Sequence, residues 1–243
     1  MRGVEHRWRR IAAAFVGAGL VGFSAFAPSG VGAQGGESAK KAPTIWHATA
    51  FVRGRVGIRV IDYWSKGSNM RARTLIAGHP ITTIVRGDLY LVLDGLTGRG
   101  LEIRRSKEAI GDDAKRIRPF ALEFEDLIRD GGEKIEEVEI GAVKAEVWRV
   151  TDSSGRRKLW VTTGDLQVPL RIETFNRASA DTFDLDYSGW AFDLELGADF
   201  FSTPAGFEMS TFEYDDYLTK SIEGPVSAVP ILYPDLLHGN QPR

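Results

Sequence analysis

The residue types that most often perform chemistry are sparse in this chain. Its histidines are His6, His47, His79 and His238, on separate segments. Neither the metalloprotease pattern H-E-x-x-H nor the hydrolase pattern G-x-S-x-G occurs. Cysteine is absent, which excludes disulfides, thiolate metal sites and cysteine nucleophiles. We therefore expect no catalytic residues and no cofactor, and we expect the protein not to be an enzyme.

One stretch has the spacing of a metal site. In "DLDYSGWAFDLE", Asp184, Asp186, Ser188, Gly189 and Glu195 match the ligand positions of an EF-hand calcium loop. An EF-hand also needs flanking helices, and the neighbouring "ADTF" and "LGADFF" do not supply them. We therefore favour a strand, a Ser-Gly turn and a second strand with the aspartates outward, and calcium binding is the alternative.

Other polar motifs are explained by ordinary surface structure. "GLTGRG" (95–100) is a glycine-rich turn that lacks the strand-to-helix context of a phosphate-binding loop. The acidic stretches "EYDDY" and "EDLIRDGGEKIEEVE" are typical of solvated charge. A pair of carboxylates could act as in a glycosidase, but nothing in the sequence fixes their separation.

The first 33 residues predict export. "MRGVEHRWRR" is basic, and "IAAAFVGAGLVGFSAFA" is an apolar run of 17 residues, at the short limit for a membrane span. We predict a signal peptide over residues 1–33 that is cleaved after Ala33, with an uncleaved anchor as the alternative. No cysteine follows for lipid attachment, so we expect a soluble periplasmic protein. The net charge of −2 predicts no nucleic-acid partner.

Short β segments follow a polar lead over residues 34–44. Runs such as "VGIRV", "ITTIV" and "LYLVLD" are separated by turn signals such as "SKGSN" and "RGD". These segments predict close-set antiparallel hairpins without crossover helices, roughly ten strands in all.

One convincing helix interrupts the strands. In "PFALEFEDLIRDGG" the apolar residues recur at helical spacing, Pro119 suits the first turn and Gly131 suits the stop. Shorter helices are predicted in "SKEAIGDDAKRIR" and "TFEYDDYLTK". The predicted apolar stripe consists of Phe120, Phe124, Leu127 and Ile128.

The strand "DLQVPLRIETFN" contains a proline, Pro169, which cannot donate to a sheet ladder. We therefore predict that it lies on an edge strand or at a bulge, and that the sheet is open on at least one side. One helix is a small cover for so many apolar strand faces. We infer a curved, incompletely closed barrel with an apolar interior; the alternative is a compact sandwich filled by its own side chains.

The chain resembles a known superfamily over about residues 45–210. "KLWVTTGDLQVPLRIETFN" and "GADFFSTPAGFEM" resemble the second half of LolA-like outer-membrane lipoprotein-sorting proteins, and "VRGRVGIRVIDYWSKGSNMRARTL" with "ITTIVRGDLYLVLD" is similar to the first half. The resemblance implies a mostly β, half-open antiparallel barrel with one or two short helices as a lid. It also implies that acyl chains bind inside.

Two features depart from that superfamily. "GGESAKKAPTIWHATAF" does not have the pattern of the amphipathic helix that usually opens such proteins. A proline-containing extension, residues 211–243, follows the half-barrel domain. Its apolar "VPILYPDLLHG" is expected to pack on the protein's own barrel, and a partner surface is the alternative.

We predict a periplasmic carrier for lipid or lipoprotein acyl chains, monomeric, with possible partner proteins at the inner and outer membranes. The alternative is a ligand-sensing or protein-interaction domain of an envelope-stress regulator, with the C-terminal extension as the partner element. The residues predicted to line the cavity are Val56, Ile58, Val60, Leu89, Leu91, Leu93, Phe124, Leu127, Ile128, Val168, Leu170, Ile172, Phe183 and Leu185. A slip of one residue in any strand would reverse its facing.

Overall fold

The protein is described by a computed structural model over residues 42–55 and 57–239. The predicted signal peptide, its cleavage site and Val56 lie outside the described residues. The described part is mostly β, as predicted, with more strands than the ten expected. The strands are β1 (Ile45–Gly54), β2 (Gly57–Lys66), β3 (Asn69–Ile76), β4 (His79–Arg86), β5 (Leu89–Asp94), β6 (Arg99–Arg104), β7 (Glu133–Ile140), β8 (Val143–Thr151), β9 (Gly155–Thr162), β10 (Pro169–Asn176), β11 (Thr182–Phe192) and β12 (Glu208–Phe212). The helices are α1 (Lys107–Asp113), α2 (Glu123–Arg129), α3 (Tyr214–Glu223) and α4 (Pro234–His238).

All twelve described strands form one sheet, in the order β12-β6-β5-β4-β3-β2-β1-β11-β10-β9-β8-β7. Neighbouring strands are antiparallel, except that β12 runs parallel to β6. The sheet does not close on itself, so β12 and β7 are its two edges. The predicted half-open barrel is therefore confirmed as an open sheet with few short helices.

The hairpins of the first half are tight. Between β3 and β4 the turn residues Ala77 and Gly78 have φ angles of 50° and 85°. Two successive left-handed residues form the turn whose twist matches that of antiparallel strands. This turn sets Ile76 opposite His79 and fixes which side chains of β4 face the core.

One face of the sheet, here called the inner face, carries the main core. Alternate residues of most strands point into it, such as Ala48 and Ala50 of β1 and Ile61 and Tyr63 of β2. Phe124 and Leu127 of α2 belong to the same core, and α2 lies against β8, β9 and β10. The inner face is therefore covered by its own chain.

A second stretch of chain covers the same face. We call residues 226–238 the C-terminal segment; its Leu236 and Leu237 are 1% and 0% exposed and belong to the main core. The expectation that "VPILYPDLLHG" packs on its own barrel is confirmed. Its apolar side chains are thus not a free partner surface.

The opposite face carries a smaller core under the chain between β11 and β12. Ile84, Leu91 and Leu93 pack there with Phe201. The strands β4 and β5 are consequently buried on both faces, which explains why "LYLVLD" is almost continuously apolar.

Three of the four described helices were predicted, α2 with one change of length, and α4 in the proline-containing extension was not. α2 begins at Glu123, and Pro119 and Phe120 lie in the loop before it. Gly131, at φ 82°, follows the helix, as predicted for a stop. The two weaker helix predictions correspond to α1 and α3. No helix in residues 42–239 combines the length and apolar character needed to cross a membrane.

Candidate functional site

The structure divides the predicted lining residues among several environments. Five of them lie together in the main core on the inner face, and Leu170 is half-buried beside them. Three others lie on the opposite face, and four are exposed. The core group is Phe124, Leu127, Val168, Ile172 and Leu185; the opposite group is Leu89, Leu91 and Leu93; the exposed group is Ile58, Val60, Ile128 and Phe183.

The predicted facing of β2 and β5 was wrong by one residue. In β2, Ile61 and Tyr63 face the core, so Val60 points outward at 44% exposure and Ile58 is 74% exposed. In β5, Tyr90 and Val92 belong to the main core, which places Leu89, Leu91 and Leu93 on the other face. A strand that is apolar on both faces carries no alternation from which to choose.

Two further lining residues were predicted in the wrong environment. Ile128 of α2 is 43% exposed because the buried face of that short helix consists of Phe124 and Leu127. Phe183 is 40% exposed near the tip of the β10–β11 hairpin, where the inner face is no longer covered.

An apolar cleft of about 770 Å³ opens at one end of the sheet, between β8, β9, β10 and β11. Two of its lining residues, Val143 and Leu166, are 42% and 36% exposed, so the cleft is partly open to solvent. Polar groups, among them Lys144, stand among the apolar ones. The apolar lining consists of Ala142, Val143, Leu166, Val168, Leu170, Trp190 and Phe192, together with the ring of Tyr187.

Pro169 helps to form this cleft. It is the first residue of β10, and the pairing of β10 with β9 shifts register between Pro169 and Arg171. The predicted bulge is therefore confirmed, and the edge-strand alternative is wrong because β10 lies between β9 and β11. Proline is tolerated where a bulge removes the need for a ladder donor. Its carbonyl accepts a hydrogen bond from Trp190 Nε1 at 3.0 Å.

A second bulge lies across the cleft. The pairing of β1 with β11 shifts register between His47 and Thr49, and Gly189 opposite them has φ 62°. A left-handed glycine is the usual first residue of such a bulge. The predicted Ser-Gly turn between two strands is thus wrong: β11 is continuous, and the bulge turns Trp190 toward Pro169.

Aromatic rings form the floor of the cleft. Trp190 stacks on Phe192 with ring centroids 6.4 Å apart and on Phe120 at 6.0 Å. Phe120 in turn stacks on Tyr63 at 4.8 Å. We call Phe192, Trp190, Phe120 and Tyr63 the aromatic row. It runs from the cleft into the main core.

A buried polar cluster packs against the aromatic row. The Arg118 side chain, 1% exposed, lies over the rings of Trp46 and Trp190 at 4.9 and 5.7 Å. Tyr187 donates a hydrogen bond of 2.9 Å to Glu123. Burial raises the pKa of Glu123, although the Tyr187 hydroxyl and the charge of Arg118 oppose that shift. These groups orient the aromatic rings.

The three histidines within the described residues are not gathered into one site. His47 Nδ1 contacts the carbonyl of Gly189, and His238 Nδ1 lies 2.9 Å from the Tyr214 hydroxyl. His79 Nδ1 lies 2.8 Å from Asp94 Oδ2. Burial raises the pKa of Asp94, but His79 and the amides of Leu96 and Thr97 together lower it to about 2.

The calcium alternative does not fit the structure. Asp184 and Asp186 stand on β11 and form ion pairs with Arg53, instead of converging in a loop. Among residues 42–239, no group of three or more histidine, aspartate or glutamate side chains is placed to hold a metal ion.

Sequence reasoning missed several cleft residues. By pattern alone, Val143 and Leu166 fit ordinary strands, and "SGWAF" fits a turn. The available signal was a tryptophan directly after a Ser-Gly pair, since Trp190 can face the cleft only through the bulge at Gly189.

The described part of the chain is an open-sheet, mostly β protein, and its likeness to the solved structures below, at 12–14% identity, is one of fold alone. No protein-family profile matches the chain, and no curated protein sequence matches it.

Three solved structures illustrate the similarity. An uncharacterized conserved protein from Thermus thermophilus is 14% identical, with 70% of this chain and 91% of that one covered and a TM-score of 0.49. A domain assigned to outer membrane lipoprotein sorting, from Vibrio parahaemolyticus, is 12% identical, with 65% and 88% covered and a TM-score of 0.29. MucB in the Pseudomonas aeruginosa MucA/MucB complex is 12% identical, with 69% and 58% covered and a TM-score of 0.42. The function proposed for this chain rests on its own geometry.

Proposed function

We propose that this protein binds the acyl chain of a lipid or lipoprotein in the apolar cleft between β8 and β11, and carries it across the periplasm. The observation that supports the proposal is the cleft itself, about 770 Å³ and lined mainly by apolar side chains, several of them exposed. Clefts that hold small ligands usually measure roughly 300–1,000 Å³.

The physical basis is the removal of apolar surface from water. Val143, Leu166 and Phe192 in the cleft are 42%, 36% and 37% exposed. An acyl chain lying against them would remove both surfaces from water, and each buried methylene contributes about 0.8 kcal/mol. The polar groups at the rim, Lys144 among them, would stay with the lipid head group.

The periplasmic location of the proposal rests on the sequence of residues 1–33, which precedes the described part of the chain. A carrier of this kind binds without chemical change, so we propose no catalytic residue. Of the residues predicted from sequence, Val168 and Leu170 line the cleft and are proposed to contact the acyl chain.

Native mass spectrometry of the protein, expressed as the full chain and purified from the periplasm without detergent, tests the proposal. We expect a discrete mass excess that extracts into organic solvent, and its mass would give the lipid class. The purified protein should also bind added palmitate. A clean protein mass, together with no binding of palmitate, would contradict the proposal.

A matched pair of variants locates the binding. Val143→Glu puts a charge in the cleft at a position that is already 42% exposed, so the fold should persist. We expect palmitate affinity to fall by about tenfold or more, since the carboxylate would have to be buried beside the chain. Ile58→Glu is the control, because Ile58 is 74% exposed and is not part of the cleft lining. Equal affinity in both variants would place the lipid elsewhere.

The alternative, a ligand-sensing or protein-interaction domain, is favoured by a different observation. Phe51, Val60 and Leu75, on neighbouring strands, are 36%, 44% and 64% exposed. Under this alternative, Val60→Glu would abolish co-purification of a defined envelope protein and leave palmitate binding unchanged. Val143→Glu would weaken palmitate binding and leave co-purification of that envelope protein unchanged.

A further inference from the structure

We propose that a second cavity, between α1 and α2, binds a free apolar α-amino acid through both of its charged groups and its side chain. None of the residues that line the acyl cleft lines this cavity. The inference therefore goes beyond the proposed function and does not depend on it.

The cavity lies between the end of α1, the loop over residues 115–122 and α2, and Asp235 of α4 is also part of its lining. Its volume is about 340 Å³. Pockets that hold small ligands usually measure roughly 300–1,000 Å³, so this cavity is at the small end of that range. Charged and apolar side chains both line it, as a ligand with charged groups and an apolar part would require.

The charges of the lining do not balance. Five carboxyl groups face three basic groups, and each basic group is paired with one acid. The pairs are Lys115 with Asp112 at 2.7 Å, Arg129 with Asp126 at 2.6 Å and Arg116 with Asp235 at 3.3 Å. Glu123 and Glu125 are the two carboxyl groups that remain.

These two carboxyl groups favour an ammonium ligand. Glu123 uses one oxygen to accept from the Tyr187 hydroxyl, and Glu125 has one oxygen 3.5 Å from Arg118 Nη2. The second oxygen of each, Oε2, is buried and has no hydrogen-bond partner among the described residues. Burial raises the pKa of Glu125 as it does that of Glu123, although the charge of Arg118 opposes both shifts. An ammonium group would supply the missing donors and the missing positive charge.

The opposite requirement comes from Arg116. Its side chain is only 8% exposed, and Nη2 lies 3.3 Å from Asp235 Oδ2. Nη1 is buried and has no hydrogen-bond partner in the described part of the chain. Buried polar groups in folded proteins are nearly always paired, and a guanidinium fork matches a carboxylate well. The cavity therefore provides a donor for the acid group of a ligand as well as acceptors for its ammonium group.

The remaining lining is apolar and specifies the rest of the ligand. Ile117 is 59% exposed, and Phe120 is held in place between the rings of Tyr63 and Trp190. A ligand side chain that covers Ile117 removes apolar surface from water, whereas a polar side chain would lose its own hydration there. An ammonium group, a carboxylate and an apolar side chain on one carbon atom make an apolar α-amino acid.

A series of ligands tests each part of this assignment on the unaltered protein. Isothermal titration calorimetry of the dialysed full chain would compare L-leucine with 4-methylpentanoate, which lacks the ammonium group, and with 3-methylbutylamine, which lacks the carboxylate. Glycine, which lacks the side chain, completes the series. We expect L-leucine to bind and the other three to bind at least about tenfold more weakly, because each leaves one part of the cavity without a partner.

Three variants locate the binding. Arg116→Lys keeps a positive charge for Asp235 and removes the second nitrogen, and Glu125→Gln removes one negative charge without touching the Tyr187 hydrogen bond. Both should weaken L-leucine binding by about tenfold or more. Glu208→Gln is the matched control, since Glu208 is 84% exposed on β12 and is not part of the lining, and it should bind L-leucine like the parent. Melting temperatures of all three confirm that they are folded.

No binding of L-leucine to the parent protein would overturn the inference and leave the acyl proposal standing, since palmitate is measured separately. Binding that neither Arg116→Lys nor Glu125→Gln weakens would also overturn it, because the ligand would then lie elsewhere. Equal affinity for L-leucine and 3-methylbutylamine would contradict the role of Arg116, and equal affinity for L-leucine and 4-methylpentanoate would contradict that of the two glutamates.

Discussion

The two halves of the sheet are built differently. From β2 to β6 each hairpin pairs without a shift of register, whereas β7 with β8, β9 with β10 and β11 with β1 each shift once. In the regular half, β4 and β5 are covered on both faces, and the irregular half contains the apolar cleft. Regular pairing provides a rigid support, and bulges provide the space in which a ligand can lie.

The largest expected effect is a loss of stability caused by a substitution in the regular half. Leu91→Glu would place a charge at a position with 1% exposure, packed with Ile84 and Phe201. We expect a loss of about 4 kcal/mol or more in the free energy of unfolding, because the site is closed to water. Urea denaturation measures it. Ile58→Glu, at 74% exposure, should stay within about 0.5 kcal/mol of the parent. A stable Leu91→Glu protein would mean that this face is not a core.

A smaller loss of stability is expected from a substitution at the bulge in the irregular half. Gly189→Ala adds a methyl group that meets no atom within 4 Å, but the residue has φ 62°. The left-handed conformation costs about 1–2 kcal/mol for a non-glycine residue. We expect that loss in urea denaturation, together with weaker palmitate binding because the bulge supports the cleft. If stability fell and palmitate binding did not change, the bulge would not be needed for binding in the cleft.

The pH dependence of stability gives a further test in the regular half. The pKa of Asp94, in the regular half, is lowered from 3.8 to about 2 in the folded state, so its carboxylate stabilises the fold above pH 4 and loses that effect as the pH falls toward 2. Asp94→Asn should therefore be less stable than the parent near pH 6. The difference in melting temperature should narrow between pH 4 and pH 2, and parallel curves would contradict this assignment.

The smallest effect concerns the polar cluster behind the cleft. Burial raises the pKa of Glu123 in the folded state, so its ionisation opposes folding as the pH rises above the ordinary glutamate value. Glu123→Gln keeps an acceptor for the Tyr187 hydroxyl and removes the charge. We expect a modest rise in melting temperature at pH 8 and none at pH 4. A fall at pH 8 would show that the charge of Arg118 needs Glu123 as its partner.

The sequence was sufficient for the elements whose pattern is local. Turn signals located most hairpins, and helical spacing with Gly131 located α2. The proline in "DLQVPLRIETFN" correctly indicated a bulge. The open sheet followed from the family resemblance and from that proline, although the proline is not on an edge.

The candidate site was less predictable because it depends on contacts between strands and loops that are far apart in the sequence. Ile58 and Ile61 are both apolar and close in sequence, and only the register with β1 decides which one faces the core. Leu91 is buried on the opposite face because residues far along the chain, such as Phe201, cover it. The cleft arises where two bulges on different strands meet, and neither strand alone specifies that meeting.

The two edges of the sheet have a consequence for behaviour at high concentration. β7, "EKIEEVEI", carries a charged residue at five of its eight positions, and Lys134 pairs with Glu137 and Glu146. β12 has five residues and is followed by α3. An unpaired edge that is charged or short is a poor template for another chain. An unclosed sheet of this kind can therefore stay dispersed in a crowded compartment, without edge-to-edge polymerisation.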